Sequence, residues 1–218
     1  SIPIGEWVVL KILEIYKNTK YFYKLQENKK WKLNGNLLEL KGKQIAFLGT
    51  GTVATESAKR LQGFETNIIG FSKSGKRKDF FNEVYKIEEF ENMAALFDVV
   101  ILTLPHTSET YHFFNEKYMK AMKYASVLIN VARGKVLDEK ALMNNYEKFL
   151  GIALDVFEEE PLEVTSPLWD IPNLLISPHN SWISEMRNTR RFDLIYENLR
   201  RFINNENIIN EVDVKRGY

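Results

Sequence analysis

From about residue 44 onward, short apolar runs alternate with segments of helical spacing, and this alternation most constrains how the chain can fold. The strand-like runs are Gln44–Leu48, Thr66–Phe71, Asp98–Thr103, Ser126–Val131, Gly151–Leu154 and Asn173–Ile176. Between them the spacing predicts helices at Val53–Leu61, Ile87–Phe97, Asn115–Met122 and Asp138–Asn145. Strands that are apolar throughout are buried on both faces. Strands of that kind alternating with helices predict an α/β fold, a doubly wound parallel sheet. Ahead of it, Ile4, Val8, Ile12 and Ile15 lie at helical spacing, so residues 3 to about 17 are predicted to form an amphipathic helix. A polar, aromatic-studded connector follows, "YFYKLQENKKWKLNGN", and a last helix is expected from about Ser184 to Ile203.

The first strand runs into "FLGTGTVA". Gly49, Gly51 and the small Ala54 form G-x-G-x-x-A between a strand and a helix. In that setting the first glycine permits a tight turn, the second lets the backbone approach a pyrophosphate, and the third residue lets the helix pack closely. Phosphates would sit on the helix N-terminus at Thr52 and Val53, where unpaired N–H groups and the helix dipole favour an anion. The bland alternative is a glycine turn without a ligand. A dinucleotide site of this kind is expected to place an acid about 20 residues further on, to hold the adenosine ribose. Here Ser72 occupies that strand end, followed by Lys73, Ser74, Gly75, Lys76 and Arg77. A serine with neighbouring cations suits a 2′-phosphate, so NADP is expected to be favoured slightly over NAD. The alternative is a solvated basic turn beside an NAD site.

Three later stretches place reactive side chains just past a strand, where open α/β sheets bind ligands. Arg133 lies in "LINVARGKV", Asp155 and Glu160 in "ALDVFEEEPL", and His179 in "LLISPHNSW". Arginine offers a fixed fork of donors to a carboxylate. Histidine carries a proton near neutral pH, and a glutamate beside it can orient the ring. Reduction of a 2-keto acid beside a nicotinamide requires such a set. Taken singly, each also has a plain reading, as a surface ion-pair partner, a solvated glutamate or a turn residue.

Together with "LGTGTVATESAKRLQGF" and "LTLPHTSETYHFFN", these stretches resemble the D-isomer-specific 2-hydroxyacid dehydrogenase family, including glycerate and phosphoglycerate dehydrogenases and glyoxylate/hydroxypyruvate reductases. The resemblance runs from Ile2 to about Phe202. It implies a Rossmann-type NAD(P)-binding domain with flanking N- and C-terminal helices. Arg133 would bind the substrate's carboxylate and keto oxygen, His179 would be the acid/base, and Glu160 would pair with it. Asp155 would contact the nicotinamide end. Backbone around Leu104, Pro105, Val131 and Ala132 would line the cofactor cleft. His106 would line the cleft at most, and His112 is read as a solvated residue at a helix start. Asn180 stands where many relatives have an aliphatic residue, which bears on pocket shape.

The resemblance divides the chain into an interdomain helix and connector (1–34), the NAD(P)-binding domain (35–183), and a C-terminal helix and tail (184–218). Relatives carry an N-terminal substrate-binding segment on the order of a hundred residues, and this sequence starts at the interdomain helix. The expected activity is therefore that of a parent enzyme interconverting a 2-keto acid and a D-2-hydroxy acid, with this chain alone expected to lack turnover. The competing reading is a nucleotide-binding module without useful turnover. A homodimer through the first helix and its aromatic connector is expected from the same resemblance.

Composition narrows the remaining possibilities. A net charge of +1 with 27% charged residues gives no basic bias for nucleic acid. No apolar run approaches the ~18 residues that span a bilayer. The absence of cysteine excludes thiol nucleophiles, disulfides and cysteine–metal sites, and suits a cytoplasmic enzyme. No metal is expected.

Overall fold

The computed structural model describes residues 1–212. It contains two compact units, Ser1–Ser181 and a second beginning at Trp182. In the first, seven strands form one all-parallel sheet: β1 (Gln44–Leu48), β2 (Asn67–Ser72), β3 (Glu83–Lys86), β4 (Val99–Leu102), β5 (Val127–Asn130), β6 (Gly151–Leu154) and β7 (Leu174–Ile176). Their order is β3-β2-β1-β4-β5-β6-β7, the doubly wound fold expected from the sequence.

Side chains alternate across the sheet, which explains why its strands are apolar throughout. Ala46, Leu48, Val100, Leu102, Leu128 and Leu154 join a core on one face, with Phe71, Phe90 and Phe97. Ile45, Phe47, Ile101, Val127 and Ile129 face the other side. That second core is covered by α1 (Ile2–Tyr16), through Val8, Ile12 and Tyr16, and by α3 (Thr52–Leu61), through Ala54, Ala58 and Leu61. A Cβ on Gly5 would sit 3.0 Å from the Glu56 backbone, so glycine lets α1 approach α3 closely.

Register decides where the chemistry falls. Leu48 pairs with Phe71 and with Leu102, Leu102 with Asn130, Asn130 with Leu154, and Leu154 with Ile176. The carboxyl ends of six strands thus form one row. Gly49, Ser72, Thr103, Val131, Asp155 and Ser177 all stand in or directly beyond that row. The strand order reverses between β1 and β4, opening a crevice there.

Three local features differ from the sequence reading. The edge strand β3 was not foreseen: "EVYK" is short, polar at both ends and held by its pairing with β2. The connector begins as a helix, α2 (Thr19–Glu27), which buries no residue and so shows no apolar stripe to read. The segment 87–97 is not one helix: α4 (Phe90–Met93) is flanked by 3₁₀ turns, yet Phe90, Ala94 and Phe97 still reach one core. Two short helices, α5 (Glu116–Ala121) and α6 (Glu139–Asn145), lie where the spacing placed them. In the second unit α7 (Arg187–Ile203) is held to its own tail by Asn198, which bonds Ile209 through both backbone groups.

Candidate functional site

The glycine turn is built tightly against the end of β4. Gly49 has φ +102, and a Cβ there would lie 2.8 Å from the Thr103 carbonyl oxygen and 3.0 Å from the Leu104 nitrogen. Thr103 Oγ1 donates to the carbonyl oxygens of Leu48 (3.1 Å) and Gly49 (2.9 Å), pinning the turn. Gly51 is different: a Cβ there would meet nothing of the chain within 4 Å. Its own fold does not require glycine, whereas a pyrophosphate lying on that backbone would. Gly51 is also the N-cap of α3 and supplies no capping side chain. The N–H groups of Thr52, Val53 and Ala54 have no intrahelical acceptor and head the helix dipole. These residues fit a dinucleotide's phosphates.

At the end of β2, Ser72 turns the chain. The Gly75 N–H donates to the Ser72 hydroxyl (3.2 Å), and Gly75 adopts φ +61. The Ser74 hydroxyl accepts from the Lys76 N–H. Lys73 Nζ is bonded to both oxygens of Glu109, at 2.8 and 3.1 Å. That bond, and then the charge of Lys73, holds the Glu109 carboxyl below its ordinary range. Leu104 and Pro105 follow β4, and the Pro105 carbonyl accepts from Thr110 Oγ1 at 2.6 Å.

Arg133, Glu160 and His179 line one cleft of about 220 Å³, with His106, Gly134, Lys135, Phe157 and Glu158. Arg133 follows β5 in a turn shaped by Asn130, which is fully buried. Asn130 Oδ1 accepts from the Ala132 N–H (3.0 Å) and its Nδ2 donates to the Arg133 carbonyl (3.3 Å). Val131 and Ala132 are buried beside it. Gly134 then lies directly on the backbone of Phe157 and Glu158. Glu160 Oε1 accepts from the Phe157 N–H (2.9 Å), leaving Oε2 to meet His179 Nδ1 at 2.7 Å. Burial, the largest single influence on Glu160, pushes its carboxyl up. The bonds from His179 and Phe157 and the charges of His179 and Arg133 outweigh it, and the carboxyl lies below its ordinary range.

His179 has φ +49, a left-handed conformation that histidine tolerates better than most residues. Asp155, 1% exposed, fixes it there. Its Oδ1 accepts from Ser177 Oγ (2.5 Å), Asn180 N–H (3.1 Å) and Ser181 N–H (3.2 Å), and its Oδ2 also accepts from Ser181 N–H. The His179 N–H donates to the Asp155 carbonyl (2.8 Å). Ser177, Asn130 and Thr103 escaped the sequence reading. Each is a polar residue at the end of an apolar strand, and Asn130 could have been flagged as a polar side chain inside a buried one. His112 needs correction. It precedes α5 instead of starting it, and its ring, stacked on Tyr111, has a solvent-shielded Nε2.

A glycine turn of this geometry at the reversal point of an all-parallel sheet defines a dinucleotide-binding domain of the dehydrogenase class. The chain belongs to the D-isomer specific 2-hydroxyacid dehydrogenase family, whose NAD binding domain matches residues 9–181. It is 33% identical over 180 residues to a glyoxylate reductase of Korarchaeum cryptofilum, covering 80% of this chain and 54% of that protein. A family member from Aeromonas salmonicida superimposes with a TM-score of 0.89 at 31% identity, covering 97% of this chain and 68% of that one. Another, from Xanthobacter autotrophicus and solved in complex with NADPH and MES, gives 0.87 at 29% identity, covering 99% of this chain and 89% of that one. The chain spans about half the length of the curated glyoxylate reductases it matches. Among the described residues, no helix is long and apolar enough to cross a membrane.

Proposed function

We propose that the protein acts in hydride transfer between NAD(P) and a 2-keto acid/D-2-hydroxy acid pair, with glyoxylate or hydroxypyruvate as the substrate class. The observation that carries this reading is the Glu160–His179 pair, 2.7 Å apart and sharing one cleft with Arg133. The bound nicotinamide supplies or accepts the hydride. Glu160 engages His179 Nδ1, so proton transfer to or from the substrate oxygen is assigned to the ring's other nitrogen, Nε2. Arg133 offers its guanidinium to the substrate carboxylate and draws charge from the keto oxygen. Asp155 holds the turn that aims the imidazole. Its expected contact with the nicotinamide end would be made by a residue whose carboxylate is already engaged in that turn.

NADP is favoured over NAD in this reading. Ser72 brings no charge to repel a 2′-phosphate, and Lys73 and Arg77 stand near it in the chain. A 2′-phosphate would have to draw Lys73 away from Glu109, an exposed pair of the kind worth at most about 1 kcal/mol. The working form is proposed to be a homodimer; Trp31 and Leu33, 97% and 86% exposed after α2, support a further apolar contact.

Fluorescence titration with NADPH and NADH tests the cofactor reading. NADPH should bind about tenfold more tightly, one good ionic contact's worth. Ser72→Asp should reverse the order, because an aspartate can accept the Gly75 N–H as the serine does and leave the turn intact. Tighter NADH binding by the unmodified chain would defeat the NADP preference, and binding of neither would defeat the site itself.

A further inference from the structure

Beside the cleft, which Glu158 also lines, three side chains from separate segments converge: His112 from the loop before α5, Asp138 at the N-cap of α6, and Glu158 from the loop after β6. One donor atom of each lies within 4.8 Å of those of the other two. We propose that they form a binding site for a divalent transition cation, with zinc(II) the ion their donors suit best.

His112 carries the argument. Its Nε2 is shielded from solvent and makes no hydrogen bond, although Glu158 Oε1 is only 3.1 Å away. The oxygen stands beside the direction in which the nitrogen points, not along it. Two ligands of one ion have that relation: with bonds of about 2.0–2.2 Å, neighbouring donor atoms lie roughly 3–3.5 Å apart while each points at the metal. One imidazole and two carboxylates complete three positions, a donor set that zinc accepts with water in the fourth.

The charge balance points the same way. Asp138, Glu139 and Glu158 surround a single imidazole. A dication would relieve this excess. The ligands are also held in place beforehand. The His112 N–H donates to the Lys135 carbonyl (2.8 Å), and the ring stacks on Tyr111 with centroids 4.1 Å apart. Asp138 Oδ1 accepts from the Ala141 N–H (2.9 Å), and Glu158 Oε1 from the Glu139 N–H (2.9 Å). No sequence spacing betrays the set, because its members lie 26 and 20 residues apart along the chain. The ion would brace the loop bearing Glu158 and Glu160, so its role is structural support of the catalytic pair.

The test is calorimetric titration of Zn²⁺ into the untagged chain after chelator treatment. One ion should bind per chain. His112→Gln and Glu158→Gln should each weaken binding at least tenfold, and His179→Asn should leave it unchanged. Nitrogen-detected spectra of the unmodified chain give a second measurement independent of any variant's folding. With only three histidines present, Zn²⁺ should move the ring signals of His112 and spare those of His106 and His179. Absence of saturable binding, undiminished binding by a folded His112→Gln chain, or shifts confined to His179 would each overturn the proposal.

Discussion

In a protein that joins this chain to a substrate-binding segment of the kind the family resemblance implies, His179→Asn is expected to lower the rate of NAD(P)H-dependent glyoxylate reduction by about 10²–10⁴-fold, the usual contribution of a positioned acid or base. Dinucleotide affinity should stay within about twofold. Asparagine is chosen because the residue has φ +49, a conformation asparagine also tolerates. The variant then removes the proton carrier without unwinding the turn. Glu160→Gln should cost less, because the imidazole remains while the carboxylate that orients Nδ1 is lost. Asp155→Asn acts further back. An amide nitrogen in place of either carboxylate oxygen would set its own N–H donors against the Ser181 N–H. One buried unsatisfied donor costs about 1–3 kcal/mol, so the melting temperature should fall along with the rate. Glu160 adds a pH dependence of known sign. Its folded carboxyl lies below the ordinary range, so its ionised form stabilises the fold above that range. The contribution disappears as pH falls through the depressed value. Comparison of melting curves of the unmodified chain and Glu160→Gln across the acid range would show it, with the two converging at the lowest pH. A His179→Asn chain that reduced glyoxylate at the full rate would remove the acid/base role from this residue.

What the sequence made legible follows from which forces leave a pattern along the chain. Burial on both faces of a parallel sheet leaves continuous apolar runs, so six of the seven strands were evident. The seventh, β3, is fixed by hydrogen bonding to β2 at an exposed edge and leaves no such run. The glycine turn and the Arg133, Glu160 and His179 stretches could be read because each residue type has a chemical purpose at a strand end. The parts that aim them were hidden. Asn130, Thr103 and Ser177 act on backbone groups brought near by register, and polar residues of these types are common in any chain. Asp155 was noticed for a ligand contact that the family resemblance implies. Its four bonds to the turn at 177–181 depend on β6 and β7 being neighbours, which spacing alone does not state. His112 was misread for the same reason, since Glu158 and Asp138 reach it from distant positions.

Gly134→Ala is expected to destabilise the folded chain by about 3 kcal/mol or more, beyond the usual range for overpacking a core. A Cβ there would lie 1.8 Å from both the carbonyl carbon and oxygen of Phe157, and 2.3 Å from the Glu158 nitrogen. Those are backbone atoms, so no rotamer change can relieve the clash. The strand-end loops cannot part cheaply either. Phe157 is buried and its N–H is bonded to Glu160, while the Gly134 carbonyl accepts from Leu137. For a chain of this size the loss corresponds to a fall of roughly 6–12 °C in melting temperature. Arg133 precedes the clash and Glu160 follows it, so whatever fold survives should also lose the shared cleft. Gly51→Ala gives the opposite pattern. With no atom of the chain within 4 Å of its new methyl group, stability should fall by no more than about 1 kcal/mol, the disadvantage of alanine at an N-cap. Dinucleotide binding should nevertheless weaken at least tenfold, because the methyl group would occupy the approach of the pyrophosphate. Urea unfolding and NADPH titration of the two variants separate the cases. A Gly134→Ala chain as stable as the original would mean that the Arg133 and Glu160 loops do not touch. A Gly51→Ala chain that bound NADPH normally would mean that the phosphates do not lie on this turn.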